Sequence, residues 1–428
     1  MKVSFCALGC KVNQYEADAY AKMFRDRNWD IGAFDEICDV YVVNTCAITN
    51  IGERKSRQML RRAKKLNPDA LVVATGCYAQ TKAQEVMALP EIDVVIGTAK
   101  RAMLVEIVEA KLRGEDIDAL TDIMQERMYE ELECAGETER TRAYIKIQDG
   151  CENFCSYCIV PYARGPVRSR KIENIVREAK RLSDKGFKEI VLTGISVNSY
   201  GKDFKNGQTL ADVIKAVCAI DKVCRVRLSS IDPRAFDDNF IKLIADEKKM
   251  CRHFHISLQS GSSSVLKRMN RKYTAQDYLD TLSAIREKMP DALITTDIIC
   301  GFPEESEQEF KETLDFVKTA HFSKVHVFPY SERSGTVAAR MEQLPRPLRE
   351  KRAKELSALC NSISEECENS FIGNSMDVLF EQCEDGICEG LTGNYLRVFV
   401  KSNENLSGEI RTVKIKERKG KKLWGEII

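Results

Sequence analysis

The chain has 428 residues, 43% hydrophobic and 31% charged, the make-up of a folded protein of two or three domains. Lys and Arg number 66 against 65 Asp and Glu, a net charge of +1, which excludes a uniformly basic nucleic-acid binder but not local basic patches. No apolar run approaches the roughly 18 residues of a membrane span. Met1 to Cys6 is strand-like and lacks a secretory signal's apolar run and cleavage site, so a cytoplasmic protein without membrane association is expected.

The first 113 residues alternate short apolar strands with amphipathic helices. Strands are predicted over 2–8, 39–44, 71–75 and 94–96, and helices over 14–27, 53–66, 81–88 and 101–112. Strands this apolar, separated by helices, predict an α/β unit with an open parallel sheet, Rossmann-like or flavodoxin-like. Residues 114–140 are acidic and aperiodic and read as a linker. Over 141–369 the alternation resumes, with strands at 143–147, 189–192, 225–228, 253–258, 293–299 and 324–328. Six β/α units predict a partial (β/α)6 barrel, followed by a charged helix over 347–368. Residues 370–428 alternate polar and apolar between Gly/Asn turns, which predicts a small antiparallel β-barrel of about five strands.

Seventeen cysteines are the compositional anomaly. An odd count cannot pair completely, and in a reducing compartment metal, cluster or redox roles or buried thiols are the alternatives to disulfides. Cys151, Cys155 and Cys158 form a C-x3-C-x2-C just after the first barrel strand, where barrel active sites gather. Structural zinc wants four ligands, and no histidine or further cysteine lies nearby. An iron–sulfur cluster with one open iron fits three thiolates better. Cys10, Cys46 and Cys77 each follow a predicted strand of the first unit, so they converge in the crevice where open α/β sheets bind ligands. The remaining cysteines read as core thiols or as unpartnered. Cys383 and Cys388 are near enough in sequence for a local pair, but no disulfide is expected. His253 and His255, which alternate along a strand, are read as facing opposite sides and unable to hold a metal jointly.

The C-x3-C-x2-C resembles the radical S-adenosylmethionine enzymes, with Tyr157 as the aromatic residue before the last cysteine. That resemblance implies a 4Fe-4S cluster on Cys151, Cys155 and Cys158 whose open iron chelates S-adenosyl-L-methionine. It also implies cofactor contacts at strand ends from Thr193, Gly194, Ser229, Gln259 and Asp297, the last standing where the family pattern has glycine. With the second triad and the terminal barrel, which resembles the RNA-binding TRAM domain, the whole chain is similar to the radical methylthiotransferase family. Leu8-Gly9-Cys10-Lys11-Val12-Asn13-Gln14-Tyr15-Glu16 resembles its branch acting on N6-threonylcarbamoyladenosine. Met269-Asn270-Arg271 and Phe328-Pro329-Tyr330-Ser331 agree, and Tyr330 joins the implied cofactor contacts.

The family implies a transferase that replaces the C2 hydrogen of that nucleoside at tRNA position 37 by S-methyl. It implies two 4Fe-4S clusters, a tRNA anticodon stem-loop as partner, and an electron donor of flavodoxin or ferredoxin type. No side chain is assigned as catalytic in its own right. The alternatives are the same chemistry on isopentenyladenosine of tRNA or on a ribosomal-protein aspartate, and a non-catalytic iron–sulfur RNA-binding protein. RNA contacts are expected from Arg411 to Lys422, from the basic helix carrying Arg54, Lys55, Arg57, Arg61, Arg62, Lys64 and Lys65, and from Arg164, Arg168, Arg170 and Lys171.

Overall fold

The computed structural model describes residues 1–115, 117–136 and 141–428. Positions 116 and 137–140 of the expected linker lie outside them. Strands β1 (Lys2–Ala7), β2 (Asp30–Gly32), β3 (Val40–Thr45), β4 (Leu71–Gly76) and β5 (Val94–Val95) make one all-parallel sheet, order β2-β1-β3-β4-β5. This is the flavodoxin-like order, whose ligand crevice lies where the chain direction of winding reverses, between β1 and β3. Alternate residues of β3 enter opposite cores. Val40 and Val42 pack with Tyr15, Tyr20 and Phe24 of the helix Lys11–Arg25, and Tyr41 and Val43 pack with Leu60 and Ala63 of the helix Asn50–Leu66. The short edge strand β2 is absent from the sequence-based reading.

The central unit holds β6 (Arg142–Asp149), β7 (Arg168–Ser169), β8 (Glu189–Gly194), β9 (Arg225–Leu228), β10 (His253–His255), β11 (Leu293–Cys300) and β12 (Lys324–Pro329). β6, β8 and β9 run parallel, as do β10, β11 and β12, and isolated bridges Val226↔Met250 and Ile231↔Ile256 join the two sets. These are the six strands expected of the partial barrel. The unpredicted β7 folds back antiparallel on β6. The helix Lys11–Arg25 packs against β6, so one core runs from Val3 and Tyr15 through Ile145 to Phe322.

The expected linker is a strap. Leu132 and Cys134 are buried, the Tyr15 hydroxyl donates to the Leu132 carbonyl, and Glu130 and Glu131 pair with Arg101 and Arg170 at 2.7 Å each.

The terminal unit closes into a barrel of β13 (Ser375–Glu384), β14 (Ile387–Thr392), β15 (Arg397–Lys401), β17 (Lys422–Ile427) and β16 (Ile410–Lys419), in that order. Its pairs are antiparallel except β15 with β17, which are parallel, a departure from the purely antiparallel barrel expected. A disulfide joins Cys383 to Cys388, contrary to expectation: the β13–β14 hairpin sets these two directly opposite. Arg225 and Arg227, at the start of β9, donate to the carbonyls of Asp377 (2.7 Å), Leu391 (3.1 Å) and Gly393 (3.3 Å). The small barrel therefore caps the amino-terminal end of the central one, leaving the carboxyl end to the first unit.

Candidate active site

Cys151, Cys155 and Cys158 lie on an irregular loop leaving the carboxyl end of β6. The loop starts at Gly150, φ +76°, where a Cβ would stand 1.8 Å from the Pro166 carbonyl oxygen, so only glycine admits this turn. Two sulfurs already receive N–H donors: Arg271 Nη1 to Cys155 at 3.3 Å and the Val160 amide to Cys158 at 3.4 Å. Burial raises the pKa of the Cys151 and Cys158 thiols. The donors suit sulfur that carries charge when ligated, and Asp232 pairs with Arg271 at 3.2 Å to orient it.

The second set forms where the sheet order reverses. Cys10 is the N-cap of the helix after β1, Cys46 follows β3, and Cys77 opens the helix Cys77–Thr81 after β4. The thiols are electrostatic neighbours, and burial raises Cys10 and lifts Cys46 to about 12. Asn13 fixes the strand ends: its Nδ2 donates to the carbonyls of Leu8 (2.7 Å) and Thr45 (3.0 Å). Gly9 has φ +93°, and a Cβ there would meet Cys46 Sγ at 2.7 Å. Gly9→Ala is therefore expected to displace Cys46, costing the reconstituted protein about half its iron, read by iron and sulfide determination.

Among the described residues no three His, Cys, Asp or Glu side chains converge as ligands of one metal ion would. Three thiols per set match a cubane cluster that leaves one iron open, whereas a closed structural zinc site takes four ligands.

The two sets are bound together by a buried ion network. Glu16, fully buried, accepts from Arg101, from Lys146 at 2.9 Å and from Arg164 at 2.5 Å. Asp149, beside the loop of Cys151, Cys155 and Cys158 (the radical loop of the resemblance above), accepts from Lys146 at 2.6 Å and Arg101 at 3.1 Å and lies 3.7 Å from Arg168. With Glu130, three carboxylates face four cations. Arg164 also reaches Cys77, whose Sγ accepts from its Nε at 3.2 Å, a donor suited to a sulfur that carries charge when ligated. Arg164, Arg168 and Arg170 are thus at most 2% exposed, and their expected role in RNA binding is corrected: they are internal.

A cavity of about 850 Å³ opens onto both sets. The first unit contributes Gly9, Cys10, Lys11 and Ile48, and the radical loop contributes Cys151, Cys155, Tyr157 and Cys158. Thr193, Gly194, Ser229 and Asp297 line it as well. Cys46 and Cys77 lie outside its lining, as do Gln259 and Tyr330. Gln259 has φ +77° and its amide donates to the Asp297 carbonyl at 2.9 Å, while Tyr330 packs edge-on against Phe302. The Ser229 hydroxyl is buried without a partner at the cavity wall, an orphan suited to a polar cofactor. Three histidines also line the cavity. His253 and His255 share a face, not opposite ones, because residues two apart in a pleated strand point the same way; both rings reach Thr295 Oγ1, at 3.0 and 2.9 Å. His255 Nε2 meets the Asp297 carboxylate at 3.1 Å, so that carboxylate is engaged inside the barrel.

The radical SAM superfamily model matches residues 145–317, and a model described as uncharacterized protein family UPF0004 matches residues 2–97. The threonylcarbamoyladenosine tRNA methylthiotransferase MtaB of Bacillus subtilis is 42% identical over 420 residues, 96% of this chain and 93% of that protein. The MtaB of Aquifex aeolicus is 41% identical over 84% of this chain and 88% of its own. The tRNA-2-methylthio-N(6)-dimethylallyladenosine synthase of Desulforamulus reducens is 35% identical over 99% and 94%. The chain belongs to the radical S-adenosylmethionine methylthiotransferase family. Among solved structures, the radical S-adenosylmethionine methyltransferase TsrM of Kitasatospora setae shares the fold, with TM-score 0.58 and 17% identity over 79% of this chain and 77% of that one.

In this methylthiotransferase the exposed charge is sparser than the sequence suggested. On the helix Asn50–Leu66, Arg57, Arg61 and Lys64 are tied to Glu85, Glu91 and Asp93, leaving Arg54, Lys55, Arg62 and Lys65 exposed on its outer face. On the small barrel Arg411, Lys416, Arg418 and Lys419 have carboxylate partners, whereas Lys414 and Lys421 project outward. Lys11, Asn13 and Glu16 stand in the Leu8–Glu16 motif but were given no individual role by sequence reasoning, and Asp232 was not singled out at all; its one signal was position, shortly after the end of β9.

Proposed function

We propose that this enzyme methylthiolates C2 of N6-threonylcarbamoyladenosine at tRNA position 37, giving 2-methylthio-N6-threonylcarbamoyladenosine. One observation carries the reading: a single cavity is lined both by Cys10 of the first unit and by Cys151, Cys155 and Cys158 of the barrel. The MtaB relatives support the choice of nucleoside. Cys10, Cys46 and Cys77 would hold one 4Fe-4S cluster and Cys151, Cys155 and Cys158 the other. Tyr157, Thr193, Gly194, Ser229 and Asp297 would surround S-adenosyl-L-methionine, with Gln259 and Tyr330 supporting that shell from behind. When bound, the clusters and S-adenosyl-L-methionine supply the radical and the methylthio group, chemistry no side chain provides.

The chain's share is geometry and electrostatics. Arg271 and the Val160 amide donate to the sulfurs of Cys155 and Cys158, Arg164 donates to that of Cys77 on the other side, and the Glu16–Asp149 network holds the two walls in register. An anticodon-loop base is unpaired, so it can enter between the walls at little cost. Arg54, Lys55, Arg62 and Lys65 with Lys414 and Lys421 would meet phosphates of the anticodon stem-loop. A flavodoxin- or ferredoxin-type donor in the cytoplasm would supply electrons.

Nucleoside mass spectrometry of tRNA from a deletion strain lacking redundant enzymes tests the reading. Loss of 2-methylthio-N6-threonylcarbamoyladenosine with accumulation of its unthiolated parent is expected. Persistence of the modified nucleoside, or loss of the methylthio-dimethylallyl nucleoside instead, refutes it.

A further inference from the structure

The cavity does not end at the cysteines. Its deep part lies within the central barrel, bounded by His253, His255 and His326 and, from the small barrel, by Tyr395. Lys11, the residue after Cys10, lines the same cavity. Burial opposes its charge, as do the cations Arg142 and Arg227, while the Tyr395 hydroxyl and then Glu189 favour it. Among the described residues it makes no ion pair. The carboxylates that could serve are engaged: Asp297 with His255 at 3.1 Å and Glu189 with Arg227 at 2.6 Å. Beside it, His253 is 5% exposed, its Nε2 meets Thr295, and its Nδ1 is buried with no hydrogen-bond partner. A cation without a counter-ion and an orphaned imidazole nitrogen, both on one chamber wall, are costly unless a ligand completes them.

Resting on the substrate reading above, we propose that Lys11 receives the carboxylate of the threonylcarbamoyl group, with His253 Nδ1 as the second polar contact of that subsite. The N6 substituent carries one carboxylate and one hydroxyl on a short chain. A dimethylallyl group carries neither, so it would leave both protein groups unpaired, and a site built around polar partners rejects an analogue that lacks them strongly. Lys11 is also well placed to set geometry. It follows Cys10 directly, so gripping the substituent here presents the adenine ring to the space between Cys10 and the radical loop.

The test uses the full-length, cluster-reconstituted protein and anticodon stem-loops carrying threonylcarbamoyladenosine, its uncharged carboxamide, or dimethylallyladenosine. Binding is measured without S-adenosyl-L-methionine, and turnover with it. Wild type is expected to favour the carboxylate over the carboxamide by about tenfold or more in both readouts. Lys11→Gln should abolish that ratio, while Lys11→Arg, which keeps the charge, should retain most of it. Taking a ratio within each variant cancels any general loss of folding or iron. A Lys11→Gln protein that keeps the wild-type ratio overturns the subsite while leaving the substrate reading intact. A wild type that ignores threonylcarbamoyladenosine and thiolates the dimethylallyl stem-loop overturns both.

Discussion

Glu16→Gln is expected to destabilise the protein by about 3–5 kcal/mol, more than any surface substitution in the first unit. Burial alone would raise this carboxyl's pKa, but Arg101, Arg164 and Lys146 hold it well below the usual carboxylate range. Glutamine keeps the size and removes the charge. Four buried cations would then share Asp149 and Glu130, and the Coulombic gain that offsets their desolvation would be lost. An exposed pair gives the contrast: Lys22 and Asp26 approach to 2.6 Å, yet breaking them should cost about 1 kcal/mol or less, because solvent screens both partners. Urea unfolding of Glu16→Gln beside Lys22→Ala reads the difference. Equal midpoints would mean that the network contributes nothing to cohesion between the two units. Because Arg164 bridges Glu16 to Cys77, the variant should also hold the first-unit iron less firmly, released sooner to a chelator than the iron of the radical loop.

Much of the fold was legible because it repeats. The period of two in Val40-Tyr41-Val42-Val43 and the six apolar strands from β6 to β12 are local patterns, and local patterns survive folding. What escaped was short or long-range. β2 and β7 span three and two residues, too few to show a period. Arg164 meets Glu16 across 148 positions, and an arginine is so rarely buried that its usual fate, a solvated surface, was the natural expectation. The placement of Cys10, Cys46 and Cys77 past the ends of β1, β3 and β4, and of the C-x3-C-x2-C past β6, follows from parallel strands, which deliver their carboxyl ends to one side. Their supports, Asn13 and Arg271, act through side-chain hydrogen bonds that no spacing encodes. The Cys383–Cys388 pair depended on a hairpin register that the turn residues Asp385 and Gly386, both at positive φ, establish.

Cys155→Ala and Cys10→Ala are expected to fail differently, and the difference tests whether the two sets do separate work. Reconstituted wild type should hold about eight irons per chain and each variant about four. Cys155→Ala removes a proposed ligand from the radical loop, so reductive cleavage of S-adenosyl-L-methionine and methylthiolation should both fall to background. Cys10→Ala removes a proposed ligand on a different element, the N-cap of the helix Lys11–Arg25, where among the described residues Cys10 bonds within its own unit, to Asn13 at 3.8 Å. It should still release 5′-deoxyadenosine while giving no methylthiolated tRNA. The separation is physical: the radical loop takes its sulfur donors from Arg271 and Val160 and the first-unit set from Arg164, while the cavity and the Glu16–Asp149 network join the two. Should Cys10→Ala shed all its iron or cease to cleave S-adenosyl-L-methionine, the sets form one interdependent centre, and the division of labour drawn from their separate supports is wrong.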